Sequence, residues 1–201
     1  MAVRVVPPTG ARLAEAAAAV RAGKIIAYPT ETVYGLGVSP FDSAALDRLF
    51  KCKGRDAAKA ILLIIADTSQ LASVAGTVHE NAIRCMERFW PGPLSLLLPR
   101  AKGLSLIVTG GSDKVCVRCP GHDVARALCR LAGPLTSTSA NAAGAPPALS
   151  VDDIHVNDIE LGIDGGRLLP SPPSTIYDPE SGEILREGVI SRNEILKALQ
   201  A

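Results

Sequence analysis

Basic side chains are concentrated in one short stretch of the chain. Lys51, Lys53, Arg55 and Lys59 fall within nine residues, and Gly54 separates the middle pair. Cations held this close repel one another unless an anion binds between them, so the arrangement suits a polyphosphate. A solvated positive surface is the alternative, and this segment alone does not decide between the two.

Hydroxyl and amide side chains dominate a second stretch, residues 136–141. Five of its six side chains, in the order Thr-Ser-Thr-Ser-Ala-Asn, are polar. Such a run is poor core material, because each buried hydroxyl needs a hydrogen-bond partner. The run ends a predicted strand, where α/β folds usually place their ligand sites, so it favours ligand binding through hydrogen bonds.

A third stretch, residues 29–37 (P-T-E-T-V-Y-G-L-G), follows another predicted strand. Its small and hydroxylated residues could present backbone N–H groups and threonine hydroxyls to a polar ligand. A plain connection between a strand and a helix is the alternative. The segment alone leaves both interpretations open.

Residues 114–119 (K-V-C-V-R-C) read as a strand that contains one cation, Arg118. A cation in an apolar strand needs a partner, and either a substrate carboxylate or an internal salt bridge would serve. Cys116 and Cys119 have the C-x-x-C spacing, but residues three apart on a strand point to opposite faces. No second cysteine pair completes a zinc site, so we interpret them as buried structural thiols.

Several common catalytic motifs are missing from the sequence. No G-x-x-x-x-G-K-[ST] exists, so any ATP chemistry is not of the P-loop kind. Gly35 and Gly37 lack the third glycine of the dinucleotide fingerprint. His79, His122 and His155 are widely separated, which predicts surface residues rather than a metal cluster or a nucleophile–base pair.

Helical and strand patterns alternate along the chain and position these stretches. The sequence predicts helices over residues 11–21, 43–50, 68–74, 78–89, 123–131 and 192–199. It predicts strands over residues 24–28, 61–65, 94–98, 115–119, 135–138, 175–177 and 183–186. Interleaved elements of this kind predict an α/β domain with a mixed sheet. The proline-rich residues 170–173 read as a stiff loop.

Size and composition limit the class of protein. A chain of 201 residues is long enough for one domain with a sizeable core. A net charge of +1 and an aromatic content of 3% do not indicate a nucleic-acid binder. Five cysteines without a signal-peptide pattern predict reduced thiols. Because no apolar run approaches the roughly 18 residues that span a bilayer, we expect a cytoplasmic protein without membrane association.

Six short motifs resemble those of the YrdC/TsaC-type threonylcarbamoyl-AMP synthase family, and they occur in the family's order. The paired signatures are K-x-R at Lys53 and Arg55 and S-x-N at Ser139 and Asn141. The others are the opening P-T-E-T-x-Y-G-L-G at residues 29–37, F-W-P-G-P at 89–93, V-R-x-P at 117–120 and L-R-x-G at 185–188. The resemblance is to the short branch of the family. It predicts that residues 1–201 form a single YrdC-like domain with no additional C-terminal domain.

The resemblance also implies a fold and a reaction. The implied fold is a twisted mixed β-sheet with flanking helices around a positively lined concave cavity. The implied enzyme is a nucleotidyltransferase that condenses L-threonine, bicarbonate and ATP into threonylcarbamoyl-AMP and pyrophosphate. Separate tRNA threonylcarbamoyl transferase proteins would then use the product to modify adenosine 37 of tRNA.

Individual roles follow from the same resemblance. The implied catalytic residues are Lys53, Arg55, Ser139 and Asn141. The implied ATP contacts are Arg55, Lys59, Ser139, Asn141 and Arg186. The implied threonine contacts are Thr32, Arg118, Thr138 and Ser174. Mg²⁺ would accompany ATP and would be held mainly by its phosphates, because the sequence shows no carboxylate cluster to serve as a protein metal site.

Two alternatives to a threonylcarbamoyl-AMP synthase remain open at this point. One is a double-stranded RNA or tRNA-binding module without catalysis, although the near-neutral charge counts against high affinity. The other is a related carbamoyl-adenylate enzyme with a different acceptor, similar to a domain of hydrogenase-maturation proteins. Those domains usually sit in longer chains with zinc-finger cysteines, which this sequence lacks.

Overall fold

Two β-sheets form the framework of the chain, and the computed structural model describes residues 3–54, 56, 58–142 and 144–200. The strands are β1 (Val5–Val6), β2 (Ile25–Pro29), β3 (Tyr34–Gly37), β4 (Leu63–Ile64), β5 (Leu94–Pro99), β6 (Lys114–Arg118), β7 (Leu135–Thr136), β8 (Thr138–Ser139), β9 (Ile159–Ile163), β10 (Thr175–Asp178) and β11 (Glu183–Arg186). The helices are α1 (Gly10–Arg21), α2 (Ser43–Lys53), α3 (Leu71–Val74), α4 (Glu80–Phe89), α5 (Leu106–Thr109), α6 (Asp123–Ala132) and α7 (Arg192–Gln200).

Both sheets are mixed. The five-stranded sheet has the order β1-β9-β2-β3-β8, in which β9 pairs parallel with β1 and β2 and the other pairs are antiparallel. The six-stranded sheet has the order β11-β10-β5-β6-β4-β7, with parallel β10–β5 and β6–β4 pairs. The predicted α/β class with a mixed sheet is therefore confirmed.

The chain crosses from one sheet to the other within residues 135–139. Strand β7 pairs with β4 of the six-stranded sheet, whereas β8 pairs with β3 of the five-stranded sheet. Between them, the Ser137 backbone N–H donates to the Leu62 carbonyl at 2.7 Å. Thr136 exchanges two bonds with Val38, through its backbone N–H and through its Oγ1, each 3.0 Å long. This crossing, called the seam below, brings the hydroxyl-rich run between the sheets.

Helix α2 delivers the first residue of the K-x-R signature. It begins at Ser43, ends at Lys53 and is capped by Asp42, whose carboxylate accepts the Ala45 N–H. Gly54 follows with φ +60, a left-handed conformation that favours glycine and stops the helix. Lys53 thus lies in the last turn, where the helix dipole favours a cation.

Two apolar clusters hold these layers together. The larger is buried around both sheets and includes Leu36, Leu63, Leu96 and Val117. The smaller contains Leu128 of α6 and is formed where α1 and α6 pack against strands of both sheets. No helix among the described residues is both long enough and apolar enough to cross a membrane.

The structure also corrects several predicted elements. The single strand expected over residues 135–138 is wrong, because that segment is split between the two sheets. The strand expected over 61–65 is only two residues long. Strands β1, β3 and β9 were not predicted, and neither was α5. Strand β3 falls in residues 29–37, which were expected to be a turn or connection; two of its four residues are glycine, which strand-forming patterns disfavour.

Candidate active site

A cavity of about 610 Å³ lies at the seam. Its walls come from the β2–β3 connection, β6, residues 137–141, residues 171–174 and β11. The predicted site residues that line it are Thr32, Arg118, Thr138, Ser139, Asn141, Ser174 and Arg186. A larger cavity of about 700 Å³ lies beside β9 and α2 and contains none of the predicted site residues.

Lys53 joins the K-x-R and S-x-N signatures. Its ammonium group donates to the Ser139 carbonyl at 2.5 Å, to Ser139 Oγ at 3.3 Å and to Asn141 Oδ1 at 3.2 Å. The lysine is 6% exposed, so these bonds form largely away from solvent. The Asn141 amide also donates to the Ala145 carbonyl, which fixes the orientation of the side chain. Lys53 therefore contacts two residues that line the cavity.

The other two predicted phosphate ligands are placed differently. Arg55 lies outside the described residues. Lys59 is described and exposed, and it is not among the residues that line the cavity. The structure thus brings Lys53 to the site, while the phosphate roles of Arg55 and Lys59 stay predictions.

Arg118 is buried, with 2% exposure, but its guanidinium makes long contacts with the described residues. Nη1 lies 3.4 Å from Thr32 Oγ1, and Nη2 lies 3.5 Å from Glu31 Oε2. Both exceed the usual N–H···O distance of about 2.7–3.2 Å. The Arg118 Nε and the Glu31 Oε1 are buried and have no hydrogen-bond partner within the described part of the chain. The internal salt bridge considered for Arg118 is therefore present but loose.

Arg186 is held against Ser174. Its Nε and Nη2 donate to the Ser174 carbonyl at 3.0 and 2.8 Å, and Nη2 also donates to Ser174 Oγ at 3.1 Å. Ser174 Oγ in turn lies 2.9 Å from the hydroxyl of Ser95, which is fully buried. Burial lowers the pKa of Arg186, and the charge of nearby Arg118 lowers it further. The guanidinium remains charged at neutral pH.

Two arginines therefore face one cavity, and no aspartate or glutamate is among its described lining residues. Two guanidinium groups that face one partly desolvated cavity repel each other, and an anion bound between them would offset this repulsion. The arrangement suits a ligand with carboxylate or phosphate groups.

The thiols and histidines do not form a further reactive group. All five cysteines are free, and burial raises the pKa of Cys116, which lines the cavity, to about 12. That thiol is protonated at neutral pH and is a poor nucleophile. His79 and His155 are exposed as predicted, but His122 is half-buried, which corrects the prediction of a surface residue. Among the described residues, no three His, Cys, Asp or Glu side chains come together in a way that could hold a metal.

Sequence reasoning missed two residues that support this site. Ser95 reaches Ser174 only because β5 and β10 are neighbouring parallel strands, a pairing between distant segments that no local pattern reveals. Glu31 lies between two threonines in the P-T-E-T motif. Its acidic side chain could have indicated an ion-pair partner for Arg118.

Comparisons with known proteins show which proteins this chain resembles in sequence. A family model named for Sua5, YciO and YrdC, and described as telomere recombination, matches residues 18–188. A protein of Chromohalobacter salexigens called threonylcarbamoyl-AMP synthase is 42% identical over 182 residues, which are 89% of this chain and 98% of that protein. A protein of the same name from Pyrococcus abyssi is 39% identical over 92% of this chain, but the chain spans only 56% of its length.

Solved structures agree with the sequence comparison. The structure of P. abyssi Sua5 complexed with L-threonine superimposes with a TM-score of 0.90 at 37% identity, over 97% of this chain and 59% of that one. The crystal structure of E. coli YciO gives a TM-score of 0.82 at 25% identity, over 96% of this chain and 98% of that one. Full-length HypF, at 18% identity and a TM-score of 0.68, shows a shared fold alone.

Proposed function

The chain belongs to the Sua5/YciO/YrdC family, and from that premise we propose that it is a threonylcarbamoyl-AMP synthase. The proposed reaction condenses L-threonine, bicarbonate and ATP into threonylcarbamoyl-AMP and pyrophosphate, which makes the protein a nucleotidyltransferase. Several relatives that the chain matches over 90% or more of their length have this enzyme's name.

The observation that carries the proposal is the buried, loosely engaged guanidinium of Arg118. Its contacts with Thr32 and Glu31 are 3.4 and 3.5 Å long, and none of the residues that the structure describes accepts a hydrogen bond from its Nε. A buried cation with unused donors is costly unless a ligand completes its hydrogen bonds. A carboxylate can accept two parallel N–H bonds from one guanidinium. We assign Arg118 to the carboxylate of L-threonine, with Thr32, Thr138 and Ser174 around the rest of the molecule.

The ATP phosphates are assigned to the K-x-R and S-x-N side of the cavity. Lys53 supplies positive charge there, and its bonds to Ser139 and Asn141 hold it in place. The proposed ATP contacts are Arg55, Lys59, Ser139, Asn141 and Arg186. The proposed catalytic residues are Lys53, Arg55, Ser139 and Asn141.

The chemistry needs positioning and charge stabilisation rather than a protein nucleophile. The nitrogen of the neutral threonine amine bonds to the bicarbonate carbon as a C–O bond breaks and water leaves, which gives a carbamate. A carbamate oxygen then attacks the α-phosphorus of ATP. The new O–P bond forms as the bond to pyrophosphate breaks, and charge builds on the leaving phosphates. Lys53 and Arg55 stabilise that charge, and fixed binding of both substrates removes the entropy cost of bringing them together.

Mg²⁺ enters this scheme with ATP. The described residues contain no carboxylate cluster, so the phosphates and water would hold the ion, which would offset phosphate charge. We further propose that the protein acts in the cytoplasm. Its product would pass to tRNA threonylcarbamoyl transferase proteins that modify adenosine 37.

Product analysis tests the proposal. The purified protein is incubated with ATP, L-threonine and ¹³C-bicarbonate. The nucleotides are then separated by chromatography and their masses are measured by mass spectrometry. The expected result is a threonylcarbamoyl-AMP peak that carries one ¹³C and disappears when threonine is omitted. If no such product forms while the folded protein retains duplex RNA, the RNA-binding module becomes the better account.

A further inference from the structure

A segment without helix or strand links β9 to β10 and forms part of the cavity wall. Ser171 and Pro173 of this segment line the cavity, whereas Leu169 is 85% exposed. We call residues 165–173 the strap. Its inner side faces the proposed substrates, and its outer side faces solvent.

Tyr34 of β3 ties the beginning of the strap to the opposite wall. The tyrosine is fully buried, and its hydroxyl donates to the Gly166 carbonyl at 2.8 Å and accepts the Gly165 N–H at 2.9 Å. Burial raises the pKa of Tyr34, so the neutral phenol has a proton to donate at neutral pH. The flanking residues Val33 and Gly35 line the cavity. One hydroxyl therefore bridges the β2–β3 wall and the strap.

The glycines at the start of the strap make this contact sterically feasible. A Cβ at Gly165 would lie 2.5 Å from Pro29 Cγ, so only glycine lets the backbone approach β2 this closely. Gly166 has φ +81, a conformation that other residues rarely adopt. The strap then continues to Leu168, whose N–H donates to the Leu149 carbonyl at 2.7 Å.

The far end of the strap is anchored independently. The Val189 N–H donates to the Pro173 carbonyl at 3.0 Å, and Gly188 approaches the same carbonyl closely. The strap is thus fixed at both ends, and the Tyr34 hydroxyl supplies two of the hydrogen bonds at its first end.

We propose that Tyr34 is a positioning residue for the proposed synthase: its hydroxyl holds the strap so that Ser171 and Pro173 stay at the cavity wall. Tyr34 is not among the described residues that line the cavity, and it acts through the strap. The tethering itself does not depend on the identity of the substrates, whereas its effect on catalysis rests on the proposed function.

Hydrogen exchange in the Tyr34→Phe variant tests the tether without any substrate. The informative amide is that of Leu168, because its N–H donates to the Leu149 carbonyl and not to Tyr34. We expect its exchange to be at least fivefold faster in Tyr34→Phe, while exchange in β5 is unchanged. The matched control is Tyr28→Phe, which removes the hydroxyl of another fully buried tyrosine, bonded to the Thr136 carbonyl at 2.7 Å. Unchanged exchange at Leu168, or an equal increase in the control, would overturn the proposal.

Steady-state kinetics then separate positioning from general stability. In Tyr34→Phe we expect the KM for L-threonine to rise about fivefold, because the wall that includes Ser171 and Pro173 is less well fixed. The kcat should change less than twofold, and Tyr28→Phe should leave both constants near the wild-type values. A loosened strap with an unchanged KM would refute the positioning role. A wild-type protein that forms no product would refute the proposed function and leave the exchange result standing.

Discussion

Lys53 reaches Ser139 and Asn141 because α2 ends at this lysine, close to β8, which contains Ser139 and is followed by Asn141. Sequence patterns identified these side chains as a pair of signatures, and the structure adds that a single ammonium group connects them. At the scale of single residues, the proposed function depends on the contacts of Lys53 with Ser139 and Asn141. It also depends on the N–H groups of Arg118, whose contacts with the described residues are long.

Lys53→Ala removes the cation that we assign to the ATP phosphates. We expect kcat/KM to fall about 100-fold or more, since preorganised charge next to a transferring phosphoryl group is a large catalytic term. The matched control is Lys51→Ala, which removes an exposed lysine two positions earlier on α2 and should change kcat/KM less than twofold. Equal losses in both variants would indicate a general electrostatic effect and contradict the assignment.

Arg118→Lys keeps the charge but loses the planar fork that binds a carboxylate at two points. The KM for L-threonine should rise about tenfold, because one directed hydrogen bond is lost, whereas the KM for ATP should change less than threefold. Arg84→Lys, an exchange on α4 away from the cavity, serves as the control. Equal increases in the two KM values would show that Arg118 does not select threonine.

At the scale of elements, local patterns predicted most of the helices because caps and stop signals are encoded close to their ends. Helix α2, for example, was expected over residues 43–50 and is found over Ser43–Lys53, with the Asp42 carboxylate at its start and Gly54 after its end. The short strands could not be predicted in the same way. Residues 159–163 become β9 because β1 and β2 pair with them from either side, and these contacts are distant in sequence.

Gly188→Ala tests how tightly one junction between elements is packed. A Cβ there would lie 1.9 Å from the Pro173 carbonyl oxygen, so the backbone must move. We expect the free energy of unfolding to fall by at least about 2 kcal/mol in urea titrations. Gly10→Ala, where a Cβ meets nothing within 4 Å, should change it by about 0.5 kcal/mol or less. If Gly188→Ala is as stable as the wild type, the backbone at Gly188 and Pro173 can move apart at no cost in stability, which would contradict tight packing there.

At the scale of the whole molecule, the seam explains how predicted site residues that are far apart in sequence come together. These residues come from different segments of the chain. They lie close together because the chain passes from one sheet to the other at residues 135–139. The residues are Thr32, Lys53, Arg118, Asn141 and Arg186. No pattern within one segment predicts that these residues come together. The six motifs, in their order along the chain, indicated the family, and the comparisons confirm that family. The expectation of one domain without a C-terminal extension stays a prediction.

Ligand binding should stabilise the whole fold if the cavity takes L-threonine. At a threonine concentration about 100 times Kd, linkage predicts an increase of about 2.7 kcal/mol in the free energy of unfolding. Thermal or chemical unfolding with L-threonine, and with D-threonine as the matched control, measures this effect. We expect stabilisation by the L isomer alone, and the effect should be largely lost in Arg118→Ala. Equal stabilisation by both isomers would indicate nonspecific binding.

Release of pyrophosphate from ATP by the purified protein tests directly whether the chain is a threonylcarbamoyl-AMP synthase. The measurement compares ATP alone, ATP with either L-threonine or bicarbonate, and ATP with both, beside a Lys53→Ala, Arg55→Ala double variant. A threonylcarbamoyl-AMP synthase should release pyrophosphate only when both co-substrates are present, and the double variant should lose this release. Background release with every substrate present, or release that is indifferent to threonine, would contradict the proposed function.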